Sequence, residues 1–295
     1  MPELPEVETV VRDLRPLLVG RTIRHVTVGS RKLRHAWDSA WDAALSGAKV
    51  RAIRRRGKWI LVDLANGSTL LLHLGMTGQL TVHAAKDEVA DHTHLRFALD
   101  RGKDELRFRD IRRFGSATLF ATQAELDAFL NARLGPEPFG LDPAYFRDLL
   151  KTTRSLKALL LDQTALAGVG NIYADEACFL AGVHPGRAAN TMTHGESETL
   201  RAAIETVLTN AIEGRGSTIR NYVGGSGLKG SYQNRFNVYG RTGQPCPTCG
   251  GVIQVTTLAG RSSHFCATCQ PPPRRSKNST RVAGRPTADR GRKKG

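Results

Sequence analysis

The chain opens Met1-Pro2-Glu3-Leu4-Pro5-Glu6. Met is usually removed before a small second residue, and that would leave Pro2 as a secondary amine with no carbonyl in front of it. Its pKa would lie near the ordinary α-amino value, roughly 7.7–8.0, so part of it would be unprotonated at neutral pH. Such an amine suits Schiff-base chemistry on a carbonyl or a sugar C1. The same residues fit the first turn of a helix, where Pro and acids are favoured. Val7, Val10, Val11, Leu14, Leu17 and Leu18 give that helix an apolar stripe. The two readings agree, because a helix starting here would fix Pro2 and Glu3 in space.

A second cluster lies near the other end: Cys246-x2-Cys249-x16-Cys266-x2-Cys269. Four thiolates at this spacing suit one tetrahedral, structural Zn²⁺ with no open coordination position. Segment Gly251–His264 between the pairs fits a β-hairpin, and Arg261 on it is placed to meet a phosphate. Metal spacing without further paired cysteines indicates a reducing, cytoplasmic setting. The fifth cysteine, Cys178, falls on an apolar helix face and reads as core.

Three further segments carry candidate functional residues. Gly168-Val169-Gly170-Asn171 is a Gly-x-Gly turn opening a helix, where backbone N–H groups can approach a phosphate and Asn171 can cap or bind. His73-Leu74-Gly75-Met76-Thr77-Gly78 and Asp110-Ile111-Arg112-Arg113-Phe114-Gly115 present Met76, Arg112 and Phe114 on tight turns. Apolar wedges with an arginine can enter a duplex and fill the space left by an extruded base. Lys58, after three arginines and Gly57, is a candidate phosphate contact.

The elements that would position these residues form an α+β chain. After the first helix, short strands separated by Gly and polar turns run from 21 to 120: Lys49–Arg56, Trp59–Ala65, Thr69–Leu74, Leu80–His83, Leu95–Leu99, Glu105–Arg109 and Ala117–Ala121. This pattern suggests a β-sandwich or barrel. A helix is expected over Gln123–Arg133, completing a domain over 1–133. Residues 134–141, including Gly135-Pro136-Glu137-Pro138, read as a hinge. Helices follow over Tyr145–Leu150, Ser155–Asp162, Asn171–Ala181 and Glu196–Glu213, with a Gly-rich, mobile loop in 214–233. These make a helical domain over 142–233, its centre a helix–two-turn–helix. The cysteine module takes 234–270, and 271–295 reads as a disordered basic tail.

The chain carries 43 Lys+Arg against 27 Asp+Glu, a formal charge of +16. Half of that charge lies in the tail and half in the body, so the excess points to a polyanion partner. No signal peptide and no apolar run long enough to span a bilayer is evident.

Taken together, the PELPE start, HLGMTG, RRFG, LGPEP, GVGNIYADE, VYGR and the four-cysteine hairpin resemble bacterial formamidopyrimidine-DNA glycosylase, of the family shared with endonuclease VIII. The resemblance covers residues 1 to about 270. It implies a monomeric, bifunctional glycosylase/AP lyase of base-excision repair, acting on damaged duplex DNA. Oxidised purines such as 8-oxoguanine and formamidopyrimidines would be excised through a Schiff base on Pro2, followed by β,δ-elimination. Glu3 would handle protons at the sugar, with Glu6 a further acidic position. The implied phosphate clamp is Lys58, His73, Asn171, Tyr239 and Arg261, with Lys58 also part of the catalytic group. Met76, Arg112 and Phe114 would fill the void, and Lys157 would assist damaged-purine handling. Thr218, Arg220 and Tyr222 would lie on the loop closing over the flipped base. The alternatives are an endonuclease VIII-like preference for oxidised pyrimidines and a non-catalytic lesion-binding protein. Ile111 stands where many relatives have Pro, and the basic tail extends past the usual end.

Overall fold

A computed structural model describes residues 1–30, 33, 35–217 and 230–272. The expectations for Thr218, Arg220, Tyr222 and almost all of the tail lie outside the described residues.

Helix α1 (Leu4–Leu18) starts as the acids and prolines suggest, with Glu3 before it and the Glu3 N–H donating to Glu6 Oε2 at 2.8 Å. Its Val7, Val10, Val11, Leu14 and Leu18 are buried, but Leu17 is 38% exposed and is not part of the stripe. The last turn contains Pro16.

Two four-stranded antiparallel sheets follow. One has the order β1-β6-β7-β5, made of Ile23–Val28, Thr93–Leu99, Asp104–Asp110 and Gly78–Ala84. The other has the order β2-β3-β4-β8, made of Val50–Arg56, Trp59–Leu64, Thr69–His73 and Ser116–Phe120. The near-continuous apolar runs of β3 and β4 mark strands covered on both faces. Ile60, Val62, Leu70 and Leu72 face the sandwich core, which α1 also lines. Leu61 and Leu71 face the other way, onto Leu126 and Leu130 of α3 (Gln123–Asn131). Strand β1 and the short α2 (Ala40–Leu45) lack a strong period in the sequence, and each buries little: one residue of six.

The helical part comprises α4 (Pro143–Leu149), α5 (Leu156–Leu160), α6 (Asn171–Leu180) and α7 (His194–Glu213) around one core. Asp142, Ser155 and Thr193 cap α4, α5 and α7 through their side-chain oxygens. The final module is a hairpin of β9 (Ile253–Leu258) and β10 (Arg261–Cys266). Leu4 belongs to the helical core, although Val7, Val10, Val11, Leu14 and Leu18 of α1 belong to the sandwich core. The first turn of α1 therefore bridges both halves of the molecule.

Residues 134–141, expected to be a hinge, are tied down. Glu137 accepts from the Gly57 N–H at 2.6 Å and from Arg56 Nη1 at 3.0 Å, and pairs with Arg55 Nη1 at 2.8 Å. Arg55 meets Glu8 of α1 at 3.0 Å as well. One carboxylate thus fastens the hinge to the β2–β3 turn that carries Lys58. Glu137→Ala is expected to destabilise the protein by about 1–3 kcal/mol, the range for orphaning partly buried donors. Urea unfolding followed by circular dichroism would measure it.

Candidate active site at the seam of the two halves

Pro2 is buried, and the N-terminal ammonium of Met1 lies among Glu3, Glu6, Lys58 and Arg261. Burial lowers that amine below its usual value, the two carboxylates oppose the shift, and Lys58 and Arg261 add to it. The chain end therefore sits where four charged groups from three parts of the fold converge.

Glu3 is buried and points at the start of α6. Its Oε1 accepts from the Ile172 N–H at 3.0 Å and its Oε2 from the Tyr173 N–H at 3.4 Å. These are free donors at a helix N-terminus, where negative charge is favoured. Burial nevertheless dominates and raises the Glu3 carboxyl to about 6, against the lowering effect of Lys58. A side chain on Gly170 would collide with the Glu3 carboxyl, and one on Gly168 would collide with Leu4. The glycines of the Gly-x-Gly turn are thus required by the close approach of α1.

Lys58 is 5% exposed, and its Nζ donates to the Val169 carbonyl at 3.0 Å. Burial lowers its pKa, while Glu3 and Glu6 resist the shift. His73, at the end of β4, accepts from the Gly75 N–H through Nδ1 at 3.1 Å. Burial and then Lys58 push its pKa down to about 4, so the ring is neutral near pH 7. With Nδ1 accepting, the neutral ring carries its proton on Nε2 as a free donor. Asn171 opens α6, and its Oδ1 is buried without a partner among the described residues.

Glu6, expected only as a further acidic position, is a hub. Besides the Glu3 N–H, it accepts from Tyr173 Oη, from the Ser217 N–H at 2.8 Å and from Ser217 Oγ at 3.0 Å. Tyr173 and Ser217 were missed by the sequence reading. Their only signal was their position, inside the Gly-x-Gly helix and at the root of the Gly-rich loop.

Tyr239 and Arg261 lie on the module beyond the loop. Glu176, fully buried in α6, accepts from the N–H groups of Asn237, Val238 and Tyr239 at 2.8–2.9 Å. The Tyr239 ring packs edge-on to His264 of β10, with centroids 5.0 Å apart. Arg261 is exposed at the start of β10. Met76 is half-buried, Arg112 and Phe114 are exposed, and the Arg112 guanidinium lies 4.8 Å from the Phe114 ring centre.

Lys157 is fully buried, with Nζ 2.6 Å from Asp175 Oδ1 and 2.8 Å from the Ser262 carbonyl. Asp175 also accepts from the His264 N–H at 2.9 Å. The lysine is a tie between α5, α6 and the hairpin rather than a group facing the seam. Cys178 is core, as expected, and burial pushes its thiol up to about 12.

The sulfurs of Cys246, Cys249, Cys266 and Cys269 all lie within 4.8 Å of one another. Two of the separations are 3.8 and 3.5 Å. Tetrahedral Zn–S bonds of about 2.3 Å imply sulfurs about 3.8 Å apart, so the donor set fits. Four thiolates leave no open position, and the site is structural.

Residues 1–117 match the family model of the formamidopyrimidine-DNA glycosylase N-terminal domain. Residues 134–223 match that of its H2TH domain, and residues 243–272 that of the zinc finger found in FPG and IleRS. A formamidopyrimidine-DNA glycosylase of Bacillus cereus is 42% identical over 276 residues, covering 92% of this chain and 99% of the relative. The chain belongs to the formamidopyrimidine-DNA glycosylase family. A Lactococcus lactis family member bound to Fapy-dG DNA superposes with a TM-score of 0.85 at 36% identity. It covers 92% of this glycosylase and 100% of its own chain. A MutM complex with DNA containing carbocyclic 8-oxo-G gives 0.84 at 37% identity, with the same coverages. No described helix of this glycosylase is long and apolar enough to cross a membrane.

The raised Glu3 carboxyl has a consequence for stability. A carboxyl whose folded pKa is about 6, against a reference of 4.5, favours folding when protonated. Its contribution is fully present below pH 4.5 and is lost as pH rises through 6, by about 2 kcal/mol in all. Glu3→Gln is therefore expected to melt higher than the native protein at pH 7.5, with the difference vanishing toward pH 4.5. Thermal melts across that range would check it.

Proposed function

We propose that this glycosylase excises oxidised purines, 8-oxoguanine and formamidopyrimidines, from duplex DNA through an imine on Pro2, and then cuts the strand by β,δ-elimination. The observation that carries the reading is the burial of Pro2 beside a carboxyl held at about 6 and a buried lysine. Removal of Met1 would leave the Pro2 amine at the point where Glu3, Lys58 and Arg261 converge. Burial favours the unprotonated, nucleophilic form of an amine there.

In the proposed reaction the Pro2 nitrogen bonds to C1′ as the N-glycosidic bond breaks and the base leaves. Glu3, poised near neutrality, delivers a proton to the sugar ring oxygen as the ring opens. The resulting iminium makes the C2′ hydrogen acidic. Loss of that proton expels the 3′ phosphate, and a second elimination expels the 5′ phosphate. Lys58 lies close enough to Glu3 to stabilise developing negative charge on the sugar or its phosphate.

The partner supported by the body's own net positive charge is damaged double-stranded DNA. Lys58, His73, Asn171, Tyr239 and Arg261 would hold its phosphates, contacts that position DNA without reading sequence. Neutral His73 suits this role as a donor through Nε2. Met76, Arg112 and Phe114 would enter the duplex from turns on the sandwich side. The family members solved with Fapy-dG and 8-oxo-G DNA support the choice of lesion.

Borohydride trapping on a duplex with one 8-oxoguanine opposite cytosine tests the reading. Protein lacking Met1 is expected to cross-link, and Pro2→Gly to lose most of that product. No cross-link from zinc-loaded, correctly processed protein would reject the oxidised-purine reading. Trapping on thymine glycol instead would favour an oxidised-pyrimidine enzyme.

A further inference from the structure

Asp110 has no exposed surface, and it stands where the two wedge-bearing turns meet. It is the last residue of β7, directly opposite Gly78 of β5 in the sheet register. Its Oδ1 accepts from Thr77 Oγ1 at 2.5 Å and from the Arg112 N–H at 3.2 Å. Its Oδ2 accepts from the Gly115 N–H at 2.7 Å. The Arg112 N–H also reaches Thr77 Oγ1 at 3.1 Å, which closes the triangle. One carboxylate therefore holds the residue after Met76, the amide of Arg112 and the residue after Phe114.

The backbones around this carboxylate leave little freedom. Gly75 has a φ of +59°, and a side chain there would strike the Phe114–Gly115 backbone. A side chain on Gly115 would strike Phe108, the His73 carbonyl and Asp110 itself. Arg113 adopts a φ of +58°, an uncommon conformation for a non-glycine residue. The two turns touch through glycine backbone, so side-chain packing supplies little of what keeps them together. Three charge-assisted hydrogen bonds to a buried acceptor supply it instead. From below, Asp110 is braced by its carbonyl, which accepts from His94 Nε2 at 2.8 Å.

We infer that Asp110 is a positioning residue for base extrusion: its carboxylate fixes the spacing of Met76, Arg112 and Phe114 so that the three enter the duplex as one rigid wedge. A wedge must withstand the restoring force of the base stack, and unstacking costs a few kcal/mol per step. Turns free to part would yield before the stack does. This inference rests on the wedge role given above to the three side chains. It separates two halves of the reaction. Expelling a base from the helix needs the wedge held rigid. Cutting at a site that has already lost its base has no base to expel, so it depends on the Pro2 end of the cleft.

The test uses zinc-loaded, Met1-processed, full-length protein carrying Asp110→Asn, with Thr77→Val as a second variant that keeps the carboxylate. Single-turnover excision is measured on an 8-oxoguanine:cytosine duplex, and strand cutting on the same duplex with a preformed abasic site. A 2-aminopurine beside the lesion reports unstacking by fluorescence. In Asp110→Asn the new amide would turn an N–H toward the Gly115 or Thr77 donor, so excision and the fluorescence step are expected to slow at least tenfold. Thr77→Val should slow them about threefold, and abasic-site cutting should stay within twofold in both. Equal losses on both substrates, or no loss in either variant, would overturn the inference. Met76→Ala and Phe114→Ala, run alongside, separate the two levels. If they leave excision unchanged, the wedge reading itself fails and this inference falls with it. If they slow excision while Asp110→Asn does not, the wedge stands and the role of Asp110 is refuted.

Discussion

The structure turns on the docking of the first turn of α1 against the N-terminus of α6. Two helix starts face one another, and each has unsatisfied N–H groups there. Glu3 and Glu6 fill the gap. Glu6 accepts from the Glu3 N–H at its own helix start, and Glu3 accepts from Ile172 at the other. Leu4 is buried in the helical core while its neighbours on α1 are buried in the sandwich. The chain end carrying Pro2 therefore cannot shift without disturbing both cores. The arrangement is costly, because it places two carboxyls and a lysine in an interior where each charge loses its hydration. Burial raises the Glu3 carboxyl for the same reason. Local instability of this kind is a recurrent property of active sites, where a group is needed near the middle of its titration.

Buried and half-buried carboxylates recur as the fasteners of this protein. Glu137 holds residues 134–141 to the turn that carries Lys58, Glu176 holds the segment leading to Tyr239, and Asp175 holds strand β10, which begins at Arg261. Each accepts at least one backbone N–H from an element distant in sequence, and Glu176 accepts three. Glu137 takes Arg55 and Arg56 and Asp175 takes Lys157, whereas at Glu176 the backbone amides and the Asn237 side chain satisfy the anion without consuming an arginine. That choice matters in a chain with an excess of cations. Acids spent on amides inside the fold leave exposed arginines and lysines unneutralised outside it, and the external field stays positive.

This use of acids also marks the limit of the sequence reading. The sandwich strands, the helix–two-turn–helix and the cysteine hairpin were legible because apolar period, glycine turns and metal spacing are local signals. Pro2, Glu3, Lys58 and Asn171 were legible because their motifs set them apart. Asp110, Asp175 and Glu176 were not singled out, because a charged residue in sequence looks like a solvated one. A faint signal existed in α6, where Asp175 and Glu176 interrupt an otherwise apolar run. Leu17 failed for the opposite reason: it has the right residue type but lies off the buried stripe, in the turn that contains Pro16.

Lys157 shows how a tie can pass for a contact. Its ammonium is fully buried, bonded to Asp175 and to the carbonyl of Ser262, one residue from Arg261. Asp175 in turn takes the His264 N–H, so the lysine and the acid together set where β10 lies against α6. Removing the ammonium would leave a buried carboxylate short of a donor and a hairpin carbonyl unpaired. The hairpin would then settle in a different place. The exposed Arg261 beside that carbonyl would shift relative to the Pro2 end, and any phosphate it held would shift with it. Lys157 could therefore affect function without touching a damaged base. The physical reason is proximity: the buried cation holds the hairpin beside the β9–β10 turn, one residue from the Arg261 guanidinium.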